Sequence, residues 1–166
     1  VSIQDDLGYT IRFENDPEFA TAPAQVVRIS HPVDTNLNIF SFRLGDFGFG
    51  DFIFQPPTDA SFYVDRLDVR DSLGIFVDIT AGIDISKQEV FWLFESIDPE
   101  TGLAPLDALT GFLPVNDTRV TIYNDTITQK GEGFVSFTIQ PHRSSLTGDS
   151  IQAVASIVFD INAPLL

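Results

Sequence analysis

The sequence contains no cysteine and no methionine, and it has only two lysines and seven arginines against 24 acidic residues. Without cysteine, the chain has no disulfide, no thiolate zinc site and no cysteine nucleophile. The fold must therefore rely on an apolar core or on a bound metal ion. A domain of this kind fits a large bacterial surface or secreted protein better than a small secreted eukaryotic module.

Positive charge is scarce as well, and the net charge is −15 with a pI of about 4.1. Neutralising phosphates requires clustered Lys and Arg, so we predict no nucleic-acid partner. No run of 18 apolar residues occurs, so we predict no membrane insertion. Since the chain does not begin with methionine, we expect it to be a fragment of a larger multidomain protein.

Apolar residues are plentiful and alternate with polar ones, the period-two pattern of half-buried strands. In YTIRFE, for example, Tyr9, Ile11 and Phe13 share one face. About nine such segments are separated by turns rich in Pro, Gly, Asn and Asp. The 16 phenylalanines suffice for a core between two sheets. We predict one all-β domain over residues 1–166, an antiparallel β-sandwich.

One long connection, residues 97–132, interrupts the strands and contains the sequence SIDPETGLAPLDALTGFLPVND. Connections of this length without regular structure are usually functional or disordered. Apolar residues recur at every third position, namely Leu103, Leu106, Leu109 and Phe112. Pro105 and Gly111 suit the first position and the residue after the end of a helix. We predict that PLDALT forms a short helix whose apolar side covers an open end of the sandwich.

Four segments resemble a known family: GYTIRFENDPEFATAPAQ, the insert itself, GEGFVSFTIQP and ASIVFDINAP. They are similar to the Ig-like conserved repeat modules of large secreted and cell-surface proteins of bacteria and archaea. The resemblance covers nearly the whole chain. It implies an Ig-like sandwich, an extracellular or cell-surface location, and neighbouring domains of the same chain as partners. It implies little about function, because the family is mostly of unknown function.

The acids and amides around the insert suggest calcium, which takes six to eight oxygen ligands. The candidate ligands are Asp16, Asp98, Glu100, Asp107, Asn116, Asp117 and Glu132. An EF-hand loop does not fit, because its sixth position would be Leu103 rather than glycine. The other interpretation is that Asp98 begins a turn, Asp107 is solvated and Asn116-Asp117 form an Asx turn. Both interpretations stay open at this stage.

Aromatic residues suggest a second ligand class, since exposed rings can stack on sugars. The candidates are Tyr63, Trp92 and Tyr123, although burial is expected for Trp92 within the apolar run VFWLF. No HExxH, GxSxG or P-loop motif occurs, and both His31 and His142 are expected in surface turns. We therefore predict that the protein is not an enzyme.

Together these features predict a structural, spacer or adhesion-supporting module, with calcium as a possible stabilising ion. The alternative is a carbohydrate-binding module attached to a secreted enzyme. Its partners would be neighbouring domains and surface glycans or proteins.

Overall fold

The computed structural model describes residues 5–116 and 130–160. Nine strands and one short helix follow in chain order. They are β1 (Leu7–Glu14), β2 (Val26–Pro32), β3 (Leu37–Phe49), β4 (Phe52–Phe54), β5 (Tyr63–Asp68), α1 (Arg70–Leu73), β6 (Phe76–Asp84), β7 (Glu89–Ile97), β8 (Glu132–Pro141) and β9 (Ser156–Phe159). The predicted all-β fold of about nine strands is confirmed.

The strands form two antiparallel sheets, of four strands in the order β1-β8-β3-β4 and of five in the order β5-β6-β7-β2-β9. The alternation of the sequence places one face of each sheet inside. In β2, Val27, Ile29 and His31 are buried, whereas Arg28 and Ser30 are not. The predicted sandwich is therefore confirmed, with its core between the two sheets.

Aromatic side chains from both sheets make the core. The ring of Phe47 on β3 lies 6.0 Å from that of Phe94 on β7, and the ring of Phe42 lies 6.2 Å from that of Trp92. These centroid separations fall in the range at which aromatic pairs attract one another. The phenylalanine-rich composition is thus accounted for by contacts across the sandwich.

His31 lies inside this core, so its predicted place in a surface turn is wrong. The side chain is 4% exposed, and its ring meets the rings of Tyr9 and Phe137. The reason is the alternation of β2, which puts His31 on the same face as Val27 and Ile29. Neither ring nitrogen has a hydrogen-bond partner in the described part of the chain.

The short helix lies between β5 and β6, and the helix predicted in the insert is not formed. Residues 105–110 make turns and bends instead. The leucines expected to cover the sandwich point to solvent, with exposed fractions of 69% for Leu103, 97% for Leu106 and 71% for Leu109. Only Phe112 and Leu113, at the far end of that run, enter the core.

Across residues 5–116 and 130–160, no helix has both the length and the apolar character needed to cross a bilayer.

Candidate functional site

Two connections lie side by side at one end of the sandwich, and we call them together the cap. They are residues 15–25, between β1 and β2, and residues 98–116, after β7. Ala24 and Leu113 join them: Ala24 N donates to Leu113 O at 2.8 Å, and Leu113 N donates to Ala24 O at 3.4 Å. Gly111 permits the close approach, because a Cβ there would lie 2.5 Å from Ala24 O.

Asn15 is the centre of the cap, and it is only 6% exposed. Its side-chain Nδ2 donates to Ala22 O and to Leu113 O, both at 3.0 Å. Its backbone N donates to Gly131 O, and its backbone O accepts from Asn116 N, both at 2.8 Å. One buried asparagine therefore fastens both connections of the cap to the start of β8.

Gln25 fixes the turn that carries the leucines. Its Nε2 lies within hydrogen-bond distance of the carbonyl oxygens of Pro105, Asp107 and Thr110, at 3.2, 3.0 and 3.0 Å. Its backbone N donates to Asp160 Oδ1 at 2.8 Å. The turn and the end of β9 are thus attached to the same residue, although they are far apart in the sequence.

Asn116 lies between two carboxylates that face each other across the β1–β8 pair. Glu14 and Glu132 are opposite in register, an arrangement of like charges that destabilises a sheet. Asn116 is 1% exposed and donates through Nδ2 to Glu14 Oε1 at 2.9 Å and to Glu132 Oε1 at 3.1 Å. The amide offsets part of the repulsion and closes the cap against the sheet.

Three of the other predicted calcium ligands serve their own turns. Oδ1 of Asp16, Asp98 and Asp107 accepts the backbone N–H two residues later, at 2.8, 2.8 and 2.9 Å. This is the Asx-turn arrangement, and for Asp98 it agrees with the alternative interpretation that this residue begins a turn. Asp117 lies outside the described residues.

Within the described ranges, these carboxylates do not form a metal centre. There, no three side chains of His, Asp or Glu come together as a metal site. Of the predicted ligands, the structure brings Asn116 and Glu132 together, and the third member is Glu14, from the acidic stretch that also contains the predicted ligand Asp16. The sequence shows that acidic stretch, but only the register of β1 and β8 places Glu14 opposite Glu132.

Of the predicted aromatic ligand residues, the two that the structure describes do not form a sugar-binding platform. Trp92 is 0% exposed, so its ring cannot stack on a ligand. Tyr63 packs its ring against Phe47 and donates through its hydroxyl to Asp65 Oδ2 at 2.8 Å. Burial, and then this hydrogen bond, raise the pKa of Tyr63 to about 12. Tyr123 lies outside the described residues.

A depression of about 840 Å³ lies over the outer face of the four-stranded sheet, beside the cap. Gly48 is one of its lining residues, and a Cβ there would overlap Phe52 O and lie 3.1 Å from the ring of Phe134. Arg12, Glu14 and Glu132 are among its lining residues. Its lining residues carry charges of both signs, and none of them forms an evident catalytic pair. The depression therefore does not indicate a particular ligand or reaction.

Comparison with known proteins gives no match to a family model, to a curated protein or to a solved structure. Functional inference therefore proceeds from the geometry of this chain, and above all from its cap.

Proposed function

We propose that the chain is a non-catalytic structural module, a spacer or adhesion-supporting domain of a secreted or cell-surface protein. The observation that carries the proposal is the cap, whose connections are fastened to the sandwich by Asn15, Gln25 and Asn116. A loop that served as a catalytic lid would be drawn from the least stable part of a fold. Here the connection between β7 and β8 is held by Asn15 and Gln25 in its first described part. Asn15 and Asn116 hold it again at Gly131, just before β8.

The location and the partners rest on the resemblance to Ig-like conserved repeat modules. Neighbouring domains of the same chain are the proposed partners. Carbohydrate binding is the weaker candidate, because Trp92 is buried and Tyr63 is engaged with Phe47 and Asp65.

The hydrogen bonds of the cap predict that the domain unfolds as one unit under load, which single-molecule stretching of a tandem array of the domain can measure. We expect one force peak per domain, with a length gain that includes residues 98–116. The reason is that Gln25 and Asn15 join this segment to β2 and β1. A first, smaller peak from release of the segment alone would contradict the proposal.

Calcium stabilisation stays a prediction, and thermal unfolding tests it. A ligand that binds only the folded state at about 100 times its Kd adds roughly 2.7 kcal/mol, which is a rise of several degrees in Tm. If the acids of the cap and its surroundings hold calcium, millimolar calcium will raise Tm relative to excess EDTA. Magnesium is the control, and equal Tm values in all three buffers would eliminate a stabilising calcium site.

A further inference from the structure

Three leucines of the cap project into solvent from one short segment, residues 103–109, which we call the leucine turn. Leu106 is 97% exposed, and Leu103 and Leu109 are 69% and 71% exposed. Single exposed apolar residues are common on protein surfaces, but a group of large ones is informative. In the adjoining connection of the cap, Phe19 is 85% exposed as well.

The backbone of the leucine turn is held in place from inside. Pro105 is buried, and its carbonyl, with those of Asp107 and Thr110, lies against the Gln25 amide. Asp98 N donates to Leu103 O at 2.8 Å, which fixes the start of the turn. A surface that is ordered before binding loses less entropy when a partner docks. The exposed leucines are therefore presented by a fixed backbone.

The surroundings of the leucine turn are acidic. The cap carries the carboxylates of Asp16, Glu18, Asp98, Glu100 and Asp107, and no Lys or Arg occurs in residues 13–27 or 88–116. The salt bridges recorded for the described residues involve none of these five acids. Complementary charge steers association and selects partners.

We propose that the leucine turn is a docking surface for a protein segment that combines apolar side chains with flanking Lys or Arg. Two other occupants fit less well. A second copy would bring the same acidic surroundings, and the chain carries a net charge of −15. The chain's own residues 161–166, INAPLL, are apolar but contain no cation. This inference does not depend on the spacer role.

Binding of a labelled amphipathic peptide of leucine and lysine, followed by fluorescence anisotropy, tests the proposal. A matched peptide with glutamate at every lysine position and a scrambled leucine–lysine peptide serve as controls. We expect the amphipathic cationic peptide to bind more tightly than either control. The double variant Leu106→Ser/Leu109→Ser should weaken that binding roughly tenfold or more, because it removes the apolar anchors.

Two further variants separate apolar from electrostatic contributions. Leu146→Ser is the matched control, because Leu146 is 74% exposed but follows β8 at the end opposite the cap. It should leave the affinity unchanged. Glu18→Gln/Glu100→Gln should weaken binding and flatten its salt dependence, because fewer charges then attract the lysines.

Three outcomes would overturn the proposal. One is equal binding of the cationic, anionic and scrambled peptides, and another is an affinity that the leucine substitutions do not change. The third is evidence of a different occupant. Concentration-dependent dimerisation that Leu106→Ser abolishes would identify a second copy. Tighter peptide binding after deletion of residues 161–166 would identify the chain's own end.

Discussion

Replacing Asn15 by Asp is expected to lower the free energy of unfolding by about 3–5 kcal/mol, the largest effect of any isosteric change we foresee. The substitution removes the two hydrogen bonds that Nδ2 donates to Ala22 O and Leu113 O. It also places a carboxylate oxygen against those carbonyl oxygens in a site that is only 6% exposed. Urea denaturation followed by circular dichroism measures the loss.

Asn36→Asp is the matched control for this experiment. Asn36 also donates a side-chain hydrogen bond to a carbonyl, that of Ser150 at 3.1 Å, but this bond is exposed. Water can replace the lost partner there, so we expect a loss of about 1 kcal/mol or less. Equal losses in the two variants would show that Asn15 is not the centre of the cap.

Gly131→Ala is the second substitution with a large expected effect, a loss of about 2–4 kcal/mol. A Cβ at this position would lie 2.5 Å from both Asn116 Cα and Pro114 O. Since both contacts are backbone atoms, no rotation of a side chain can relieve the overlap. The segment that contains Pro114 and Asn116 must move away, and Asn116 then loses its hydrogen bonds to Glu14 and Glu132.

Gly8→Ala in β1 is the control, because a Cβ there would meet nothing within 4 Å. Alanine is preferred to glycine in a strand interior, so Gly8→Ala should be neutral or slightly stabilising. Hydrogen exchange of the backbone N–H of Asn116 provides a local measurement, since that N–H donates to Asn15 O. Unchanged protection in Gly131→Ala would contradict the predicted displacement.

The strands could be predicted because their signal is local. β2 and β8 alternate buried and solvent-facing residues along nearly their whole length, as period-two reading of the sequence requires. The extent of β3 was harder to predict from the sequence. Register shifts between Asn38 and Arg43 and between Leu44 and Phe47 interrupt its pairing with β8. Despite these irregularities, β3 runs as one strand of 13 residues, Leu37–Phe49.

The cap could not be predicted, because what determines it is not local. A leucine at every third position resembles one face of a helix, but six residues are too few to form a stable helix without tertiary contacts. In the folded chain, the carbonyls of that segment are taken by Gln25, about 80 residues earlier. Nothing in the spacing of the leucines reveals that competitor. Asp16, Asp98 and Asp107, which were predicted to bind calcium, each accept a backbone N–H two residues later, and calcium binding itself stays a prediction.

The hydrogen bonds of the cap also set the order in which the chain can fold. The side chain of Asn15 bonds to a carbonyl 98 residues later in the chain, and the backbone N of Gln25 bonds to a carboxylate 135 residues later. Contacts between such distant positions close slowly, because the loop entropy is lost before they form. During synthesis, β1 and β2 leave the ribosome long before their partners exist. The cap can therefore form completely only after residue 160 has emerged. Until then, the edges of the phenylalanine-rich strands are unpaired, and the chain must avoid pairing them wrongly.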